Sequence, residues 1–221
     1  MELLNPAHPN AELETRLAAL ADRPWAADAY LAGTAALALY LGHRRPRGLD
    51  LMSPGNRLTP QKRRDLLGDL LDLDPGTRVE TARDGYLFAR FGDGTAIKVF
   101  YYPYPLVDPE RSYGGLAVAS AIDLGLMKIA AIISRGTRRD FTDLYLLCRR
   151  LPLAGLLERS ADKFGHVRDF ELQALKGLAD LTLARQEPEI PGGTGTPTWA
   201  EVEAWVADEV RRLGREKVGL G

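Results

Sequence analysis

The chain has 221 residues, of which 45% are apolar and 27% are charged, and its formal net charge at pH 7 is -1. This composition predicts a globular protein of one or two domains, and the near-zero charge excludes bulk electrostatic attraction to nucleic acid or to an anionic membrane. The single cysteine, Cys148, excludes an intramolecular disulfide, and the absence of a CxxC or paired His/Cys spacing argues against structural zinc.

The first residues, MELLNPAHPNAELETR, lack the basic start and apolar run of a signal peptide. No run of about 18 apolar residues of the kind that spans a bilayer occurs in the sequence. We therefore expect a cytoplasmic protein with no membrane partner.

Helices and one short strand are predicted for the first third of the chain. Asn10 is a predicted N-cap for a helix that ends near residue 20, and the alanine-rich segment 27–41 is a predicted buried helix, preceded or interrupted by Gly33. Residues 49–52 alternate as a strand, and a Thr-Pro pair begins another helix over 59–75.

The pattern changes to a period of two between residues 78 and 102. The segments RVETA, YLFARF and TAIKVFYY are rich in β-branched and aromatic residues, and a Gly-Asp-Gly turn separates the last two. These features predict strands of an antiparallel or mixed sheet.

The second half of the chain is predicted to be helical. Ser120 with Asp123 and Thr137 with Asp140 have the spacing of capping boxes, and helical periodicity continues to about residue 185. The segment QEPEIPGGTGTP resembles a linker, and a last helix begins at a Thr198 capping box. Its predicted apolar face consists of Trp199, Val202, Trp205, Val206, Val210 and Leu213.

The predicted fold class is therefore α+β, with a small mixed sheet followed by a mostly helical C-terminal part. We expect an α/β region at 1–115, a helical region at 116–185 that completes a cleft, a linker at 186–198 and an amphipathic helix at 199–217.

Three segments, at 32–52, 95–102 and 123–147, resemble the AbiEii-type nucleotidyltransferases, which are the toxins of type IV toxin-antitoxin systems and have a DNA polymerase β-like fold. The family has a Gly-Gly-Ser/Thr helix start, an H-R element, a D-x-D strand and a K-x-x-A…R-x-x-x-R-D-x-x-D-L element. The resemblance covers roughly residues 28–150. Its most specific match is the last element, formed here by Lys128, Ala131, Arg135, Arg139, Asp140, Asp143 and Leu144.

The D-x-D strand is incomplete in this chain. Gly48 stands at the first acidic position and Asp50 at the second, and the strand TAIKVFYY offers no third acid. A single carboxylate can bind one Mg²⁺ that a triphosphate brings, whereas a two-metal site needs several carboxylates. By this reasoning, Gly48→Asp is expected to restore the pair and raise metal affinity.

The resemblance implies an enzyme that binds a nucleoside triphosphate (NTP) with Mg²⁺ or Mn²⁺ and transfers a nucleotide to an acceptor. The 3′ end of tRNA is a candidate acceptor, and an antitoxin is a candidate partner. The implied catalytic residues are Asp50, which also binds the metal, Lys128 and Asp143. The implied nucleotide-binding residues are Gly33, Thr34, His43, Arg44 and Lys128, and the residues that organise the site are Arg135, Arg139 and Asp140.

Each assignment has a structural alternative. Gly33-Thr34 also suits an ordinary helix start, Asp50 also suits a partly exposed salt bridge, and Lys128 also suits a side chain that reaches solvent. At the level of the whole protein, the alternative is a catalytically inactive relative that binds a nucleotide or a protein partner. A third hypothesis is a structural protein without nucleotide affinity.

Overall fold

The computed structural model describes residues 11–44, 46, 48–108, 110–190 and 196–218. The chain forms two compact units, Met1–Ser120 and Ala121–Gly221. The predicted cap Asn10, the basic residues Arg45 and Arg47 and the middle of the predicted linker lie outside the described residues.

A seven-stranded mixed sheet forms the centre of the first unit. Its strands are β1 (Tyr30–Ala32), β2 (Gly48–Ser53), β3 (Arg78–Arg83), β4 (Tyr86–Arg90), β5 (Ala96–Tyr101), β6 (Arg111–Tyr113) and β7 (Leu116–Val118). They are ordered β3-β4-β5-β2-β1-β7-β6, with β2 parallel to β5, β1 parallel to β7 and the other neighbours antiparallel. The predicted strands between residues 78 and 102 are confirmed.

The helices of this unit are α1 (Ala11–Ala21), α2 (Gly33–Leu41) and α3 (Pro60–Leu73), with a 3₁₀ helix at Pro24–Asp28. The prediction of one helix over 27–41 is wrong in its first half, because β1 occupies Tyr30–Ala32. All three β1 residues are buried, and β1 pairs with β2 on one side and β7 on the other. These tertiary hydrogen bonds override the helical preference of an alanine-rich segment.

The strands near the centre of the sheet have one buried face and one partly open face. In β2, Leu49, Leu51 and Ser53 are buried, whereas Gly48, Asp50 and Met52 are partly exposed. The strands β4 and β5 alternate in the same way, with Leu87, Ala89, Ile97 and Val99 on the buried face. This alternation places Asp50 on the open face.

The second unit is helical in its described residues. Its helices are α4 (Ala121–Ser134), α5 (Arg138–Cys148), α6 (Leu153–Glu158), α7 (Ser160–Phe164), α8 (Phe170–Ala179), α9 (Thr182–Gln186) and α10 (Trp199–Val218). The mixed sheet of the first unit and this helical C-terminal part confirm the predicted fold class.

The last helix packs against α5 and α8. Val202, Val206 and Leu213 are buried, and the rings of Trp199 and Trp205 meet aromatic rings of α5 edge to face. The Thr198 capping box is confirmed, since the Thr198 N–H donates to Glu201 Oε2 at 2.7 Å. Among the described residues, none of the helices has the length and apolar character required to cross a bilayer.

Candidate functional site

The carboxylate of Asp50 lies against the beginning of α2. Asp50 pairs with Ala32, the last residue of β1, and the chain then enters α2 at Gly33 with φ at +62°. A Cβ at Gly33 would overlap Asp50 Oδ2 and would lie 3.0 Å from Asp50 Cβ. Glycine is therefore favoured at position 33 for two reasons: the backbone is left-handed there, and the Asp50 carboxylate leaves no room for a Cβ.

Arg44 folds back to the same helix start. The helix α2 ends at Leu41, and its C-cap Gly42 is also left-handed. Beyond this cap, Arg44 Nη2 donates to Thr34 Oγ1 at 3.2 Å. His43 is half-buried beside it in sequence. Gly33, Thr34, Arg44 and Asp50, which the sequence motif grouped, are thus brought together within the first unit. A helix N-terminus carries partial positive charge and free N–H groups, so this arrangement suits an anion.

Lys98 is a neighbour of Asp50 that sequence reasoning did not assign to the site. The parallel register of β2 and β5 pairs Asp50 with Lys98, and Lys98 Nζ lies 3.8 Å from Asp50 Oδ1. The two side chains are 39% and 28% exposed, so the ion pair contributes little to stability. The salt bridge considered for Asp50 is therefore present, with a lysine as its partner.

The carboxylates of the described residues do not form a metal cluster. No group of three or more His, Cys, Asp or Glu side chains is placed to hold an ion in the part of the chain that the structure describes. Mg²⁺ commonly binds proteins through one or two carboxylates together with substrate phosphates and water. Asp50 with a triphosphate therefore fits one Mg²⁺, and the donor set does not fit a two-metal pair.

Gly48 is held close to its neighbour on β5, which changes the expectation for Gly48→Asp. A Cβ at Gly48 would lie 2.9 Å from both the Cβ and the carbonyl oxygen of Ala96. We expect Gly48→Asp to lower the free energy of unfolding by about 1–3 kcal/mol through overpacking, without tighter metal binding. Urea denaturation and Mn²⁺ calorimetry check this. The control is the double variant Gly48→Asp/Ala96→Gly, which removes the contact with the Ala96 Cβ and keeps the contact with its carbonyl oxygen. A Gly48→Asp variant as stable as wild type that binds Mn²⁺ more tightly would contradict it.

Gly33→Ala is expected to disturb the site beyond the backbone cost of a left-handed alanine, which is about 1–2 kcal/mol. The new methyl group would displace the Asp50 carboxylate. The matched control is Gly94→Ala, where φ is +87° and a Cβ would enter open space. Thermal denaturation should show a larger loss for Gly33→Ala than for Gly94→Ala. Equal losses would show that the contact with Asp50 is unimportant.

A second cluster of predicted residues lies in the second unit. Lys128 Nζ on α4 lies 2.8 Å from Asp143 Oδ2 and 3.1 Å from Asp140 Oδ1 on α5. Arg135 Nε donates to Asp140 Oδ2 at 2.8 Å, and the Thr137 hydroxyl donates to the same oxygen at 2.6 Å. The predicted Thr137 capping box is present, since the Asp140 N–H donates to the Thr137 hydroxyl. The aspartates thus position Lys128 and join the two helices.

The groups around Asp140 lower the pKa of its carboxyl by more than burial raises it. Burial raises the pKa of the Asp140 carboxyl, but the Arg135 hydrogen bond, the Lys128 charge and the Thr137 hydroxyl lower it, so its pKa lies well below the ordinary value.

The depressed pKa of Asp140 predicts an acid-labile contribution to stability. The contribution is fully present above the unfolded-state pKa, near 3.8, and is lost as the pH falls toward the lower folded-state pKa. Denaturation of wild type and Asp140→Asn over a pH series tests this. The difference in unfolding free energy should be constant above about pH 5 and should shrink below about pH 4. A difference that stays constant down to the lowest pH would contradict it.

The two arginines of the motif differ in their surroundings. Arg135 joins the cluster, whereas Arg139 is exposed and outside it among the described residues. The buried arginine is the preceding residue, Arg138, whose Nε donates to the Ala184 carbonyl at 3.0 Å and whose guanidinium lies over the Trp199 ring. The position of Arg138 on α5 directs its side chain toward Ala184 of α9 and Trp199 of α10. The spacing of the motif did not indicate this orientation.

The chain shares its fold with three solved structures, two of which are described as nucleotidyltransferases. MenT4, a nucleotidyltransferase toxin of Mycobacterium tuberculosis, is 15% identical, with 90% of this chain and 82% of that chain covered and a TM-score of 0.51. A proposed nucleotidyltransferase of Helicobacter pylori is 16% identical, with 96% of each chain covered and a TM-score of 0.53. The antibiotic-resistance factor ANT(2'')-Ia is 19% identical, with 69% of this chain and 91% of that chain covered and a TM-score of 0.51.

The family follows from a sequence relative. The uncharacterized protein aq_aa25 of Aquifex aeolicus is 31% identical over 193 residues, which are 83% of this chain and 87% of the relative. The chain therefore belongs to the same family as aq_aa25. No family model matches the sequence. The AbiEii assignment stays a prediction.

Proposed function

We propose that this protein is a nucleotidyltransferase that binds an NTP with one Mg²⁺ or Mn²⁺ at Asp50 and transfers a nucleotide to an acceptor hydroxyl. The observation that carries the proposal is the position of the Asp50 carboxylate against Gly33 at the start of α2, with Arg44 bound to Thr34. This arrangement brings a carboxylate and the N–H groups of a helix start to one point in a nucleotidyltransferase fold. It supports the proposed roles of the acid with a metal and of the N–H groups with phosphates.

Each residue around this point has a distinct task in the proposal. The N–H groups at the start of α2 and the Arg44 guanidinium would bind phosphate oxygens. Asp50 would hold Mg²⁺, which when bound neutralises phosphate charge and lowers the pKa of an attacking hydroxyl. Lys98 is only weakly paired with Asp50 at 3.8 Å, so its ammonium can turn to a phosphate and replace part of the charge of a second metal.

The finer assignment is an AbiEii-like toxin that modifies tRNA and is controlled by an antitoxin. Its support is the motif resemblance around Lys128 and Asp143, together with the fold shared with MenT4, whose name describes a nucleotidyltransferase toxin. In this assignment Asp143 holds Lys128 in place through their 2.8 Å ion pair.

Transfer of label from each α-labelled NTP to bulk tRNA, with Mg²⁺ or Mn²⁺, tests the proposal. Wild type should label tRNA with one preferred base, and Asp50→Ala should reduce the label to background. The control is Asp28→Ala, which removes an exposed aspartate of the same unit and should retain activity. Label transfer that survives Asp50→Ala would contradict the assigned role of Asp50.

A specific observation favours a second candidate function, a catalytically inactive nucleotide-binding module. Asp50 is paired with Lys98, and Gly48, the position of the missing acid, is packed against Ala96. Such a module would be stabilised by NTP with Mg²⁺ in a thermal-shift assay, because a ligand that binds only the folded state raises stability. Stabilisation without label transfer in a folded preparation would favour this function over the first.

A further inference from the structure

Aromatic and basic side chains continue across the open face of the sheet from Asp50. The register aligns Asp50 with Lys98 on β5 and Phe88 on β4, and it aligns Met52 with Phe100 and Tyr86. The rings of Tyr86 and Phe100 lie 5.0 Å apart between centroids. These rings are not part of the buried face, which the alternate residues of the same strands form.

Cationic groups lie over the rings of this face. The Arg83 guanidinium is 5.1 Å from the Tyr86 ring centroid, and the Arg90 guanidinium is 5.1 Å from that of Phe88. Lys98 Nζ is 5.7 Å from the Phe88 centroid. We call the set of Arg83, Tyr86, Phe88, Arg90, Lys98 and Phe100 the β4–β5 platform.

The platform has an excess of positive charge. Glu80, at the bulge of β3, is 3.2 Å from Arg90, and Asp50 is 3.8 Å from Lys98. Arg83 has no carboxylate within ion-pair distance in the described part of the chain, so three cations face two anions. The outer strand β3 is exposed along its whole length, which leaves this side of the sheet accessible.

Half-buried rings interleaved with cations suit a flexible polyanion that carries flat bases. Proteins bind single-stranded nucleic acid by stacking bases on aromatic side chains while basic side chains contact the phosphates. A duplex has its bases already stacked, so it cannot use the rings in this way. An acidic protein would satisfy the cations but would not require rows of aromatic rings.

We propose that the β4–β5 platform binds the single-stranded end of a nucleic-acid acceptor. The Arg83 and Arg90 guanidiniums, which lie over the rings of Tyr86 and Phe88, would turn to the phosphates, and bases would stack on the rings that they uncover. The role as acceptor site rests on the proposed function. Two strand spacings separate β2 from β4, so Phe88 is about 10 Å from the strand of Asp50. A bound strand thereby brings its terminal hydroxyl near the acid that would hold the metal.

Fluorescence anisotropy with a short labelled oligoadenylate, without NTP or metal, tests the platform separately from catalysis. Phe88→Leu keeps apolar volume and removes the ring, and it should weaken binding by about tenfold, the size of one lost base–aromatic stack. Arg83→Gln should weaken binding and reduce its salt dependence. The control Arg64→Gln, on the exposed surface of α3 in the same unit, should bind like wild type.

The outcomes separate this proposal from the proposed function. Oligoadenylate binding that depends on Phe88 in a protein without transfer activity supports the platform and counts against the transferase. Transfer activity that Phe88→Leu and Arg83→Gln leave unchanged overturns the platform alone. Folded wild type that does not bind oligoadenylate, or that binds a blunt duplex equally well, also overturns it and favours a protein partner on this face.

Discussion

Lys128→Ala is expected to lower the free energy of unfolding by about 3–5 kcal/mol, because it leaves two buried carboxylates without their shared cation. Asp140 and Asp143 are 1% and 0% exposed, and Lys128 Nζ lies within 3.1 Å of both. Urea denaturation followed by circular dichroism measures the loss.

The control for this prediction is Lys128→Met/Asp140→Asn/Asp143→Asn, which removes the charges together. It should be more stable than Lys128→Ala, since no uncompensated charge stays buried. Lys176→Ala, at an exposed lysine of α8, should change stability little. A Lys128→Ala variant with wild-type stability would show that the cluster is not a structural requirement. Lost transfer in that variant would then identify Lys128 as a functional group.

The second large effect is expected at a buried ion pair that the sequence did not reveal. Lys163 Nζ on α7 lies 2.7 Å from Asp123 Oδ1 on α4, and both side chains are fully buried. Burial lowers the pKa of Lys163, and the Asp123 hydrogen bond and charge oppose this shift. Asp123→Asn is therefore expected to cost about 3–5 kcal/mol of unfolding free energy, because the lysine loses its counter-ion.

A double-mutant cycle checks the second prediction. Lys163→Met should also destabilise, since it leaves Asp123 buried without this cation. The double variant Asp123→Asn/Lys163→Met should lose less than the sum of the single losses, because both charges are removed. Additive losses would mean that the two side chains stabilise the fold independently.

Much of the fold could be predicted because its signals are local. The period-two alternation identified the strands β2, β4 and β5, and the capping boxes at Thr137 and Thr198 identified two helix starts. The strand β1 could not be predicted, because three buried residues in an alanine-rich segment have no period of their own. Their state depends on pairing with β2 and β7, which is a tertiary property.

The candidate site could be predicted where a motif is contiguous in sequence. Gly33, Thr34, Arg44 and Asp50 lie together because a helix and a strand connect them directly, and their role in a site stays a prediction. The proximity of Lys98 to Asp50 depends on the register of two parallel strands, which sequence does not specify. The steric overlap expected for Gly48→Asp also depends on this register, because the register pairs Gly48 with Ala96.

Calorimetry of a non-hydrolysable NTP analogue with Mg²⁺, comparing wild type, Asp50→Asn and Asp28→Asn, tests the proposed site at Asp50 most directly. We expect wild type and Asp28→Asn to bind equally. Asp50→Asn should bind at least about tenfold more weakly, because replacing even a residue that only supports a metal ligand costs this much. Equal binding by all three folded proteins would contradict the placement of the nucleotide and its metal at Asp50.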